Sequence, residues 1–182
     1  VYVLTQNITD QIPNIKVDSL MDFSAGCLHD YQLTTNDMKL LSNADVFIIN
    51  GGGMEGYLAD VIDNYPSMTV IDLSMDIPMI ESMEHEGEEN PHVWLDPELY
   101  LLQINNVSKA LEKYINGIET ESDLNINQVN SNISSDIIDM IKSNTSVYIE
   151  KVDLIVNEMN LILDLVKDRA INKEISNKVV IF

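Results

Sequence analysis

Three histidines are the side chains of this 182-residue chain best suited to chemistry. His29 stands in Gly26-Cys27-Leu28-His29-Asp30-Tyr31, His85 in Glu84-His85-Glu86-Gly87-Glu88-Glu89, and His92 in Asn90-Pro91-His92-Val93-Trp94-Leu95-Asp96-Pro97. Neutral imidazole is the commonest protein ligand for zinc and related divalent ions, so the chemistry these residues could share is metal coordination. Taken singly, each also has a plainer reading as a hydrogen-bonded loop histidine, and His85 as one more solvated member of an acidic run. Cys27 could offer a thiolate beside His29, although a lone cysteine reads first as a small buried apolar side chain and cannot form an internal disulfide.

Elements must place these loops. Thr34-Thr35-Asn36-Asp37 supplies capping side chains for a short helix with Met38, Leu40 and Leu41, running to about Asn43. Val46-Phe47-Ile48-Ile49 reads as a strand buried on both faces, turned by Asn50-Gly51-Gly52-Gly53 into a helix from Met54 to Asn64, with Met54, Tyr57, Leu58, Val61 and Ile62 at helical spacing. After Pro66, Thr69-Val70-Ile71-Asp72-Leu73 reads as a second buried strand. Two such alternations predict an α/β layer with parallel strands, a fold that builds its sites from the loop ends on one side of the sheet.

Asp96-Pro97-Glu98 marks a helix start, and the helix would carry Leu99, Leu102, Val107, Leu111 and Tyr114 toward the core. The Asn-, Ser- and acid-rich stretch from Asn116 to Asn132 reads as a loop. From Ser146 to about Ile171, Val147, Val152, Ile155, Met159, Ile162, Leu163 and Val166 mark a long helix with one or two apolar faces, roughly 40 Å at 1.5 Å per residue. Val179-Val180-Ile181-Phe182 reads as a further strand.

Thirty acidic against ten basic residues give a formal charge of −20, which argues against nucleic acid and anionic lipid as partners. The same charge favours the approach of a metal cation, though a highly soluble surface would account for it as well. No stretch approaches the ~20 apolar residues of a membrane span. The chain opens at Val1 without an initiator Met or a basic segment leading into an apolar run, so any secretory signal is expected to have been removed.

The wording around the histidines narrows the choice. Gly26 to Asp37, then Leu41-Ser42-Asn43-Ala44-Asp45-Val46-Phe47, then Asn50-Gly51-Gly52-Gly53-Met54-Glu55 resembles the metal-specific solute-binding proteins of ABC importers around their first metal histidine. Asn90-Pro91-His92-Val93-Trp94-Leu95-Asp96-Pro97 is similar to their second-histidine motif, and Tyr148 to Phe182 looks like their long backbone helix running into the first strand of a second lobe. The resemblance implies an α/β fold: an N-terminal metal-binding lobe with a parallel sheet flanked by helices over 1–115, a helical linker with the backbone helix over 116–175, and the start of a truncated second lobe over 176–182.

The resemblance also implies His29 and His92 as metal ligands, with His85 in a very short form of the acidic, histidine-bearing loop of zinc-preferring members. The cargo would be zinc, with manganese as the alternative, and the partner an ABC permease in the membrane. The location would be extracytoplasmic, at the cell surface or in the periplasm, with a lipid anchor on a removed N-terminal segment as one form. The family's remaining ligands, a His or Glu and then an Asp or Glu, belong to the second lobe, so a half-site that binds metal weakly is expected. A role in surface adhesion, known for some members, has no support in these residues.

Two rivals from other classes remain. One is a hydrolase using His29 or His92 with Asp30 or Asp96 and Gly51-Gly52-Gly53 as an anion cradle, for which no Gly-x-Ser-x-Gly, Walker loop or His-Glu-x-x-His appears. The other is a metal-free module whose acidic surface binds a basic partner.

Overall fold

The computed structural model describes residues 1–21, 31–82, 87–121 and 127–171, with 118–121, 127–133 and 168–171 described by their backbone alone. His29, Cys27, His85 and the strand expected at Val179-Phe182 lie outside the described residues. The elements are α1 (Tyr2–Ile8), α2 (Thr35–Ser42), β1 (Val46–Ile49), α3 (Ala59–Ile62), β2 (Thr69–Asp72), α4 (Pro97–Glu121) and α5 (Asn127–Ile171), with single 3-10 turns at Gly56–Leu58 and Val93–Leu95.

β1 and β2 are parallel, in the register Val46↔Thr69, Phe47↔Val70, Ile48↔Ile71 and Ile49↔Asp72. Partners across a ladder share a face, so Val46, Ile48 and Ile71 point together at the helices, where Leu73 continues the same side. The opposite side is more open than the apolar runs suggest: Val70 is exposed, because these two strands are the whole sheet among the described residues. The expected α/β layer with parallel strands is present, but its second strand is buried on one face only.

α2 begins as its sequence dictates. The Thr34 hydroxyl accepts from Asp37 N–H at 3.3 Å while Asp37 Oδ2 accepts from Thr34 N–H at 2.6 Å, a reciprocal capping box. The Tyr31 hydroxyl lies 2.8 Å from the same carboxylate oxygen and 2.9 Å from Leu20 O, which ties the two ends of the segment around residues 22–30 to the start of α2. Burial, reinforced by that carboxylate, pushes the Tyr31 phenol up to about 12.

α1 was not foreseen, because its apolar residues are too few to show a period. Its Leu4 and Ile8 are nonetheless fully buried in one cluster with Ile71, Leu73, Ile104, Val107, Leu111, Ile141 and Val152. Asn144 of α5 donates to the carbonyls of Ile8 (3.0 Å) and Asp10 (2.9 Å), supplying partners for the open end of α1.

α4 and α5 run antiparallel. Their contacts descend in step: the hydroxyls of Tyr100 and Tyr148 at 2.9 Å, Thr145 Oγ1 donating to Ser108 Oγ at 3.1 Å, and Lys142 facing Glu112 at 3.5 Å. The loop expected over Asn116 to Asn132 is mostly helix, since α4 continues to Glu121 and α5 has begun by Asn127. The polar residues there lower the apolar period without breaking the helix, because Asn and Ser are weak helix formers and not helix stops.

The expected core faces also shift. In α4 the buried stripe is Gln103, Ile104, Val107, Ser108 and Leu111, leaving Leu102 exposed. Among the described side chains of α5 the buried ones are Ile138, Ile141, Thr145 and Val152, whereas Ile155, Met159, Ile162, Leu163 and Val166 are exposed. Beyond Val156 the helix runs past the start of α4 near Asp96, Pro97 and Glu98, so its apolar periodicity has no partner among the described residues.

Candidate metal centre

The loops that follow β1 and β2 lie at the carboxyl ends of the parallel strands, and the His92 loop is fastened there. Asn50, directly after β1, is buried, and its Nδ2 donates to Pro91 O at 2.9 Å and Gly51 O at 3.1 Å. Those two acceptors fix the orientation of the amide, so Oδ1 faces the other way and accepts from Gln103 Nε2 at 2.8 Å. The His92 motif is thus joined through Pro91 and Asn50 to the buried stripe of α4.

Asn90 then sets the state of the imidazole. Its Oδ1 accepts from His92 N–H at 3.1 Å and lies 2.8 Å from His92 Nδ1. A backbone N–H can only donate, so the amide atom is the oxygen and Nδ1 must carry the proton. The lone pair of the neutral ring therefore resides on Nε2, as in histidine ligands oriented by an outer partner. The ring is exposed, with Trp94 tilted against it at a centroid distance of 5.1 Å. Trp94 is itself exposed and flanks the imidazole.

The acidic stretch is anchored beside this site. Glu81 and Glu89 pair antiparallel, Ser82 N–H donates to Glu88 O at 2.7 Å, and Asn90 N–H donates to Ile80 O at 2.8 Å. This narrow ladder runs directly into Pro91 and His92.

The glycine turn is not an open anion cradle. Glu55 fills it: Oε1 accepts from Asn50 N–H at 2.9 Å and Oε2 from Gly51 N–H at 3.1 Å. Asp96 is likewise engaged, its Oδ1 accepting from the N–H groups of Glu98 and Leu99 at the start of α4. Of the components named for a hydrolase, the glycine turn and Asp96 therefore have structural roles here, while His29 and Asp30 lie outside the described residues.

Burial pushes the Glu55 carboxyl above the usual carboxylate range; the backbone donors of Asn50, Gly51 and Glu55 itself act in the opposite direction, and the nearby Asp72 charge adds to the rise. A carboxyl raised in the folded state binds its proton more readily folded than unfolded, so stability falls as pH climbs from the unfolded value near about 4.3 to the folded one. Glu55→Gln cannot ionise. Urea midpoints taken from about pH 4 to about pH 7 should therefore decline for the unaltered chain relative to the variant, and parallel curves would contradict this role for Glu55.

Among the described residues, no three His, Cys, Asp or Glu side chains stand together in a way that could hold a metal ion. The donor chemistry of His92 suits a divalent ion such as zinc, and its companions from the sequence reading, His29 and His85, lie outside the described residues. Sequence reasoning missed Asn50 and Gln103. Asn50 looked like the boundary of a strand, and Gln103 was legible only as a polar residue in register with Val107 and Leu111.

The described residues thus form an α/β lobe with an oriented histidine loop at the carboxyl ends of its strands, where Glu55 and Asp96 are committed to a turn and a helix start. The chain belongs to the family of the zinc-uptake complex component A, periplasmic, ZnuA, which matches residues 1–135. The manganese-binding lipoprotein MntA of Halalkalibacterium halodurans is 33% identical over 84 residues, 46% of this chain and 25% of that protein. The zinc-binding protein TroA of Treponema pallidum is 32% identical over 91 residues, 49% of this chain and 30% of that protein.

Among solved structures, a zinc-bound ZnuA lacking residues 138–173 superposes with a TM-score of 0.67 at 20% identity, over 88% of this chain and 55% of that one. The periplasmic zinc-binding protein TroA superposes at 0.63 and 23% identity, over 82% of this chain and 47% of that one. At these identities the superpositions establish a shared fold. The chain spans less than a third of the length of these curated relatives, and about half of each solved structure.

Proposed function

We propose that this chain supplies the metal-capturing lobe of an extracytoplasmic solute-binding protein that takes up zinc, with manganese as the alternative, and delivers it to an ABC permease. The observation that carries the reading is the imidazole of His92, whose Nδ1–H is held by Asn90 so that Nε2 bears the lone pair at the carboxyl edge of the sheet. His29 is the proposed second ligand and His85 an accessory donor from the acidic Glu84-His85-Glu86-Gly87-Glu88-Glu89 stretch. The proposed division is a metal-binding lobe over 1–115, a helical linker over 116–175 and the start of a second lobe over 176–182.

Two imidazoles fall short of the four ligands of a stable zinc site, so the lobe alone binds weakly and the remaining donors come from a second lobe. The related proteins support the metal class while differing in metal: one is named for manganese and another for zinc. Zinc is placed first here because of the acidic loop around His85 and the His29-Asp30-Tyr31 motif. The charge of −20 raises the local concentration of any divalent cation and does not discriminate among them. The proposed location is extracytoplasmic, at the cell surface or in the periplasm, with a lipid anchor as one form, since one relative is named a lipoprotein.

Calorimetric titration of the metal-free chain with zinc and then manganese, beside His29→Ala and His92→Ala, tests the reading. Each substitution should weaken zinc binding by at least about tenfold, the lower end of what loss of a mere outer-shell partner costs. Binding unaffected by both substitutions removes the ligand assignment, and absence of binding for either metal favours the metal-free acidic module.

A further inference from the structure

Gln103 is fully buried in the core stripe of α4, yet its side chain is polar and its Oε1 has no hydrogen-bond partner among the described residues. A leucine or methionine there would fill similar volume with no orphaned oxygen of its own, although buried Asn50 Oδ1 would then lose its donor. The cost is tied to one contact: Gln103 Nε2 donates to Asn50 Oδ1 at 2.8 Å, and Asn50 Nδ2 donates to Pro91 O at 2.9 Å. The orientation of each amide follows from the one before it, since Pro91 and Gly51 offer only carbonyl oxygens to Asn50. His92 follows Pro91 directly and Asn90, which orients its ring, precedes it.

We propose that Gln103 is a positioning residue for metal capture, holding the His92 imidazole in its Nδ1–H form by seating the Asn90-Pro91-His92 loop through Asn50. The proposal rests on the reading of His92 as a zinc ligand. Gln103 touches no metal; it acts through two amides and a backbone carbonyl, as outer partners of ligating histidines do.

The test uses the full 182-residue chain with Gln103→Leu and Gln103→Met. The variants exchange one orphaned buried oxygen, Gln103 Oε1, for another, Asn50 Oδ1, so the thermal midpoint should change little and the fold should persist. In the metal-free, 15N-labelled chain, the ring nitrogens of His92 should report one tautomer in the unaltered protein and a mixture in the variants. Zinc affinity, titrated with zinc alone, should fall by roughly tenfold in the variants, with no further loss when His92→Ala is already present. An unchanged ring spectrum with unchanged zinc affinity in either folded variant overturns the proposal, and so does failure of both variants to fold. Absence of zinc binding by the unaltered chain overturns the ligand reading instead, while the metal-free ring spectrum still decides whether Gln103 positions His92.

Discussion

Gly51→Ala should be the most damaging single-methyl change in the loop region, lowering stability by about 3–5 kcal/mol from the sum of a left-handed backbone and two or three broken hydrogen bonds. Gly51 has φ +81°, and a Cβ there would lie 1.7 Å from Asp72 Oδ1 and 2.4 Å from Ser74 Oγ. The carboxylate cannot simply swing aside. Asp72 Oδ1 accepts from Ser74 N–H at 2.8 Å and Ser74 Oγ–H at 2.6 Å, and Ser74 Oγ accepts from Gly52 N–H at 3.0 Å. Gly53→Ala is the matched control, because Gly53 also has a positive φ (+82°) but nothing within 4 Å of an added Cβ. It should cost only the backbone conformation, about 1–2 kcal/mol. Urea midpoints separate the two, and equal losses would mean that the Asp72 carboxylate is not held against Gly51.

Ile141→Ala should cost about 2–5 kcal/mol, the range for truncating a buried isoleucine, and at about 2–4 °C per kcal/mol should lower the thermal midpoint by roughly 4–20 °C. Ile141 is fully buried, sharing its cluster with Leu4 and Ile8 of α1 and with Ile104 and Val107 of α4. The void would therefore open where three helices meet, with little chance of collapse around it. Ile162→Ala on the same helix is the contrast: that side chain is 60% exposed, and its loss should stay within about 0.5 kcal/mol. Similar midpoints for the two variants would show that the first half of α5 is not part of the core.

The strands, the capping box of α2 and the start of α4 were legible because each is written in local chemistry: a continuous apolar run, Thr34 with Asp37, and Asp96 with Pro97. Periodicity failed where burial is decided by distant neighbours. Ile155, Met159 and Ile162 repeat as core residues do, but α4 starts too late to cover them. Leu102 and Gln103 exchange their expected places because the face of α4 that meets the sheet is set by Asn50, more than fifty residues earlier. The histidine motifs marked His92 as a candidate, yet the amides that orient it carry no motif of their own. Only the fold brings Asn50, Pro91 and Gln103 together.

α5 holds 45 residues, about 67 Å at 1.5 Å per residue, but among its described side chains the fully or nearly buried ones end at Val152. Turns up to that point are locked by tertiary packing and open only when the whole lobe does. Past Val156, with no tertiary partner among the described residues, each further turn is sustained by its own backbone bonds, for which the propagation constant is barely above unity. The helix therefore behaves as two materials in one rod: a segment that melts with the domain, and a segment whose winding and unwinding advance residue by residue on the submicrosecond scale.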